Sequence, residues 1–189
     1  MNFFISDEQL LHKPSIFIHR GKVVRSEDRI ERITLLQEGA LRADLKPMEA
    51  KKFPLATKQQ VHTSRYLKFL IKGYEEWKVL SNSANEIIPN VSPSQCINRY
   101  PDSIVGRAGW HLGDCASPVG SQTATSALAS ADVALSALHE VLDGGRESYA
   151  LCRSPGHHCS RDRAGGHCFL NNAAIAACAA IDRGYRPAI

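Results

Sequence analysis

Apolar positions recur along the chain at two spacings, and these separate its predicted helices from its predicted strands. Residues 121–142 carry Leu128, Ala131, Leu135, Leu138 and Leu142 at helical intervals. Asp143-Gly144-Gly145 follows, which predicts an amphipathic helix ended by a C-cap glycine. Residues 63–80 repeat the pattern with Tyr66, Leu67, Leu70, Tyr74 and Trp77, a second helix whose aromatic side chains belong to a core face. Residues 26–43 place Ile30, Ile33, Leu36 and Ala40 behind Ser26, a candidate N-cap, and the alanine-rich residues 171–181 predict a fourth helix closed by Gly184. The strands read differently. Phe3-Phe4-Ile5 is one short apolar run, with residues 7–14 a loop beyond it. Tyr149-Ala150-Leu151-Cys152 is another, stopped by Pro155-Gly156, and resembles strands buried on both faces of a parallel sheet.

These elements predict an α/β fold, a parallel sheet with flanking helices, in which Tyr149-Ala150-Leu151-Cys152 is central. Arg186-Pro187-Ala188-Ile189 would begin the next parallel strand. Residues 81–120 fit neither spacing. They are rich in Asn, Ser, Pro and Gly, and a loop of this length inside a compact domain is usually functional. His139, beside the stripe of the 121–142 helix, reads as a structural histidine.

Composition narrows the functional classes. The 189 residues predict a single globular domain, and a net charge of +4 with scattered basic residues such as Lys51, Lys52, Arg161 and Arg163 carries no nucleic-acid signature. Cys96, Cys115, Cys152, Cys159, Cys168 and Cys178 form no CxxC pair, so free thiols in a reducing cytoplasm are expected. The amino terminus does not read as a signal peptide, and the apolar residues 173–181 fall far short of the ~20 needed to span a bilayer. A cytoplasmic location with no membrane partner follows as an expectation.

Candidate chemistry lies just past Tyr149-Ala150-Leu151-Cys152, where the loop delivers His157 and His158. In open parallel sheets the ligand crevice lies outside the carboxyl ends of the strands, and imidazole takes and returns protons near neutral pH. Gly165-Gly166 would let backbone approach a ligand, and the rings at His167 and Phe169 would wall it. On the residues alone, adjacent loop histidines also fit a structural role. A metal-binding module of His157, His158, Cys159, His167 and Cys168 is a further alternative, with suitable residue types but not the usual paired spacing.

Arg153-Ser154-Pro155-Gly156-His157-His158, followed by Gly165-Gly166-His167-Cys168-Phe169-Leu170-Asn171-Asn172-Ala173-Ala174-Ile175-Ala176-Ala177, resembles the signature of the histone deacetylase superfamily, and most of all its acetylpolyamine amidohydrolase branch. Weaker similarity runs through Val61-His62-Thr63-Ser64-Arg65-Tyr66-Leu67-Lys68-Phe69-Leu70 and Pro118-Val119-Gly120. The resemblance implies the arginase/deacetylase-type fold, truncated after about half of the sheet. Residues 1–189 would be the N-terminal part of a single deacetylase catalytic domain, and residues 81–120 the loop that shapes its entrance and builds a homodimer.

The resemblance also implies zinc-dependent hydrolysis of N-acetylated polyamines or acetyl-lysine-like amines. His158 would be the general base and acid, and His157 would stabilise developing charge. Gly166 would offer its carbonyl to the substrate amide, His167 and Phe169 would line the acyl tunnel, and Asp114 would attract a cationic substrate. The zinc ligands, with the carbonyl-polarising tyrosine, would lie downstream of this chain. The chain alone is therefore expected to be inactive, as a noncatalytic remnant or as one half of a split protein whose partner is the C-terminal half. Ser154, Cys159 and His167 depart from the family's proline, alanine and aromatic residue, and a protonated His167 would repel a polyamine. Arg32 matches a family arginine, with Ile30 in place of the proline that precedes it.

Overall fold

The computed structural model describes residues 1–92 and 99–189; part of the 81–120 segment, with Cys96, lies outside the described residues. Three parallel strands form the sheet: β1 (Asn2–Ile5) in the middle, β4 (Lys46–Glu49) on one side and β5 (Ser148–Ala150) on the other. Asn2 pairs with both Lys46 and Ser148. Successive side chains of β1 point to opposite faces. Phe3 meets Ile33 and Ala40 of helix α1 (Ile30–Arg42), while Phe4 meets Val133 and Ala137 of helix α5 (Thr123–Leu142). The main core lies beyond α5. There α2 (Leu55–Gln59), α3 (Ser64–Lys78), α4 (Ile104–His111) and α6 (Asn172–Asp182) gather around Tyr66, Phe69, Leu135 and Phe169.

Every residue of helix α5 from Ser126 to Ala137 is buried except the half-buried Leu128, which explains its composition. Alanine and serine allow close approach on every side, so the leucine stripe understates how much of this helix is core. Gly144, at φ +108°, ends it as expected. Asn171 caps α6 by accepting the Ala174 N–H at 3.0 Å, Thr63 caps α3 in the same way, and His139 stacks on Phe53.

Several expectations need correction. Tyr149-Ala150-Leu151-Cys152 is not central: β5 stands at an edge of the sheet, Tyr149 is 36% exposed, and β1 takes the middle. Residues 185–189 form no strand and are exposed, since nothing among the described residues pairs with the second edge of β5. An open apolar groove of about 530 Å³ runs beside that edge between α1, α5 and α6, which is why Leu36, predicted as core, is 54% exposed. Ser26 does not cap α1. Its hydroxyl accepts the Asp28 N–H instead, and helix begins only at Ile30 because Asp28 is drawn down to Arg153. Asp7–Leu11 is a 3-10 helix rather than a loop, and the 81–120 segment contains α4.

Like β4 and α2, the remaining two strands had no counterpart among the predicted elements. Strands β2 (Ile16–His19) and β3 (Lys22–Arg25) form a hairpin turned at Arg20 and Gly21, both at positive φ, with Phe17 as its buried side chain.

Candidate active site

The loop that carries the two histidines is tied down at every step before it reaches them. Leu151 N–H still donates to Phe4 O on β1, at 3.1 Å. Beyond this the side-chain amide of Gln9 takes over as ladder partner, donating to Leu151 O at 3.2 Å and accepting the Arg153 N–H at 2.7 Å. The Arg153 guanidinium, 5% exposed, folds back to donate to Asp28 Oδ1 (2.9 Å), Asp28 O (3.0 Å) and Gln9 O (2.8 Å). Ser130 Oγ and Asn172 Nδ2 both donate to Ser154 O at 2.8 Å. Gly156 then turns at φ +101°, where a Cβ would stand 2.4 Å from Leu170 O, so only glycine fits.

His157 and His158 emerge from this turn exposed, with ring centroids 4.3 Å apart and planes inclined at 51°. They line a cavity of about 360 Å³ with Asp28, Arg32, Cys152, Gly166 and His167. Gly166 lies directly against His158: at φ +53° its Cβ position is 2.5 Å from His158 Cδ2. Asp114 braces this contact from outside the cavity, accepting Gly166 N–H at 2.6 Å through one oxygen and Ala116 N–H at 2.9 Å through the other. His167, at φ +64°, donates its N–H to Ser117 Oγ and sets its ring edge-on to Phe17 of the hairpin, 5.6 Å between centroids. Phe169 is elsewhere. It is 1% exposed in the main core, edge-on to His12, with its carbonyl accepting the Tyr66 hydroxyl at 2.5 Å.

Of the six candidate residues, His157, His158, Gly166 and His167 thus share one cavity, Asp114 supports it, and Phe169 is a core side chain. Gly166→Ala should therefore damage the site directly. A left-handed alanine costs about 1–2 kcal/mol, and the added methyl must displace the His158 ring. Urea denaturation measures the first effect and a crystal structure of the variant the second; an unmoved His158 would contradict the close packing described here.

Sequence reading did not single out Gln9, Asp28 and His12, which lie more than a hundred residues from the loop they support. Burial pushes the Cys152 thiol beside the histidines up to about 11, and Cys159 is raised in the same way, which disfavours the thiolate form of both. Among the described residues no three His, Cys, Asp or Glu side chains come together to hold a metal ion. In the proposed metal module, Cys159 and Cys168 are buried while His157 and His158 face outward.

Two other histidines hold the far side of the loop. His62 Nε2 accepts Asn171 N–H at 2.9 Å and its Nδ1 faces Arg161 O. His111 Nδ1 faces Asp162 O at 2.7 Å and its Nε2 the Tyr100 hydroxyl. Burial lowers the pKa of both, and His12 falls to about 3 through burial, then the charges of Arg153 and His167. Each is neutral in the fold but takes a proton near pH 6.5 once unfolded. Their stabilisation is complete above pH 6.5 and is lost as pH falls toward the folded values, in the case of His12 down to about 3. The unfolding free energy from urea denaturation should drop, between about pH 6.5 and pH 5, by up to about 1.4 kcal/mol per pH unit for each such histidine. A flat profile would contradict the neutral assignments.

Comparison with known proteins places these features in a family. The histone deacetylase domain matches residues 23–188. Acetylpolyamine amidohydrolase of Burkholderia pseudomallei is 37% identical over 190 aligned positions, which cover 98% of this chain and 54% of that protein. Acetylpolyamine amidohydrolase 2 of Pseudomonas aeruginosa is 35% identical over 164 positions, 86% of this chain and 46% of that one. A crystal structure of acetylpolyamine aminohydrolase from Burkholderia pseudomallei superimposes with a TM-score of 0.92 at 36% identity, over 97% of this chain and 53% of that chain. The HDA15 HD domain, at 19% identity and a TM-score of 0.67, shares the fold. This chain spans about half the length of the curated relatives it matches. With the domain match running over most of its length, and with His157 and His158 at the carboxyl edge of a parallel sheet, the chain belongs to the histone deacetylase family.

Proposed function

We propose that this chain carries the proton-transfer part of an amidohydrolase site that removes acetate from N-acetylated amines once a second segment, equivalent to the other half of its relatives, completes it. The observation that carries this reading is the exposed His157–His158 pair, opening together into one cavity on a rigid loop. His158 takes a proton from the attacking water as its oxygen bonds to the acetyl carbon. It returns that proton to the nitrogen as the C–N bond breaks, leaving acetate and a free amine. His157 stands beside it and stabilises the charge that develops. Gly166, packed on His158, brings backbone to the substrate amide, and His167 walls the acyl group.

Zinc is the cofactor assigned to the complete enzyme, with ligands on the second segment; it would polarise the carbonyl and acidify the water. The relatives named acetylpolyamine amidohydrolase make acetylated polyamines the first substrates to try, and acetyl-lysine the next. Asp114 would draw a cationic substrate toward the mouth. No helix among the described residues is long and apolar enough to cross a membrane, and a cytoplasmic enzyme that dimerises through residues 81–120, without nucleic acid, fits this reading. The groove beside β5 is where the second segment would dock as a parallel strand.

Acetate release provides the test. The 189-residue chain with zinc and an acetylated polyamine or acetyl-lysine should give no turnover. Adding the second half of the Burkholderia pseudomallei relative, as a separate polypeptide or fused behind Ile189, should restore it. Turnover by the chain alone that survives a chelator would overturn the proposal.

A further inference from the structure

We propose that Gln9 is the positioning residue of the histidine pair: its side-chain amide replaces the strand that β1 does not supply and so fixes where the loop of His157 and His158 leaves the sheet. β1 ends at Ile5, and Leu151 is the last residue it bonds. Two residues on, the chain must turn into the histidine loop. There a single buried amide, with Gln9 0% exposed, bonds Leu151 O and Arg153 N–H together, the donor-and-acceptor pair that a neighbouring strand would present. Gln9 also reaches Arg153 a second way, since its backbone carbonyl accepts from Arg153 Nη1, and that carbonyl accepts from Ser126 Oγ of α5 as well. Gln9 therefore holds both the backbone and the guanidinium of one residue 144 positions away.

The consequence reaches the histidines because their rings have no hydrogen-bonded partner of their own among the described side chains. Their position is set by the backbone at 151–156, which Gln9 sets from one side and Ser130 with Asn172 from the other, together with the packing of Gly166 on His158. Gln9 matters to catalysis only if His157 and His158 are the proton-transfer pair. The ring positions can be measured without turnover, so failure of either reading is seen separately.

Nuclear magnetic resonance of the whole chain, with labelled histidine, supplies the measurement. The wild type should show a ring-to-ring contact between His157 and His158, as the 4.3 Å centroid separation requires, and a slowly exchanging Arg153 amide. Gln9→Leu removes both amide groups, and should lose that contact, move both rings to the shifts of free imidazole, and release the Arg153 amide. Gln9→Glu keeps an acceptor for Arg153 N–H but has no donor for Leu151 O, so it should protect the Arg153 amide while recovering only part of the ring-to-ring contact. Ser103→Ala, which uncaps α4 away from this network, should leave them unchanged. If Gln9→Leu does not fold, Gln9→Asn, too short to reach both partners, takes its place with the same expected loss. Ring signals that stay wild-type while the Arg153 amide is freed, or that move equally in Ser103→Ala, would overturn the assignment.

Discussion

His158→Ala, made in the enzyme completed by its second segment, is expected to lower acetate release about 10²–10⁴-fold, the usual cost of removing a general base. Stability should hardly change, because the ring is exposed and hydrogen-bonds to no described side chain. That separation is informative: catalysis collapses while the urea midpoint stays. The His157→Ala, His158→Ala double variant should lose less than the product of the two single losses, since residues that act on one proton transfer act as a unit. Acetate release by each variant, alongside its denaturation curve, decides the matter. Unchanged activity in the double variant would remove the pair from the chemistry altogether.

The second large effect concerns stability. Arg153→Ala should cost about 3–5 kcal/mol, because it strands the Asp28 carboxylate in the interior. The two side chains are only 6% and 10% exposed, and the second Asp28 oxygen already lacks a hydrogen bond, with His12 Nε2 3.6 Å away and neutral. Domains of this size are stable by about 5–15 kcal/mol, so the variant should be marginal. Replacing both partners with apolar residues of similar volume, Arg153→Met with Asp28→Leu, should cost much less, since no uncompensated charge remains. The exposed Arg99–Asp102 pair, at 83% and 84%, is the contrasting case and should change stability by about 0–1 kcal/mol when broken. A loss at Arg153 no larger than that at Arg99 would show that the buried network does not hold the loop.

What the sequence made legible was whatever is encoded locally. The α5 leucines, the starts of α3 and α6 near residues 63 and 171, and the closing Gly144 all depend on residues within a turn or two of themselves, and all stand as read. Within the site, His157, His158, Gly166 and His167 are contiguous enough for one motif to carry them. Gln9, His12 and Asp28 were illegible because their meaning comes from Arg153, and no periodicity marks a pairing of such range. Phe169, two residues beyond His167, lies in the main core because it packs edge-on to His12 and its carbonyl meets the Tyr66 hydroxyl, long-range contacts that its place in the motif does not encode. The edge position of β5 depends on which strand lies beside it, and an apolar run does not state that. Strand β4, Lys-Pro-Met-Glu with every residue exposed, has neither an apolar run nor alternation and is a strand only because β1 pairs with it. In the hairpin β2–β3 a signal was present: apolar Phe17 and Ile18 face Val24 and Val23 across Arg20-Gly21.

The strand at the middle of the sheet, β1, is made long before its partner β5. Asn2 waits for Ser148, and Gln9 for Arg153, so the chain closes on itself through contacts of very long range. Such topologies fold slowly, because the entropy of the intervening chain is lost before the pairing compensates for it. During synthesis α3 and much of α5 can coil from local contacts, while β1, with Phe3 and Phe4 still uncovered, stays available to any other open strand. Closure of the sheet then coincides with assembly of the histidine loop, so a chain that has not closed its sheet has no site to misuse.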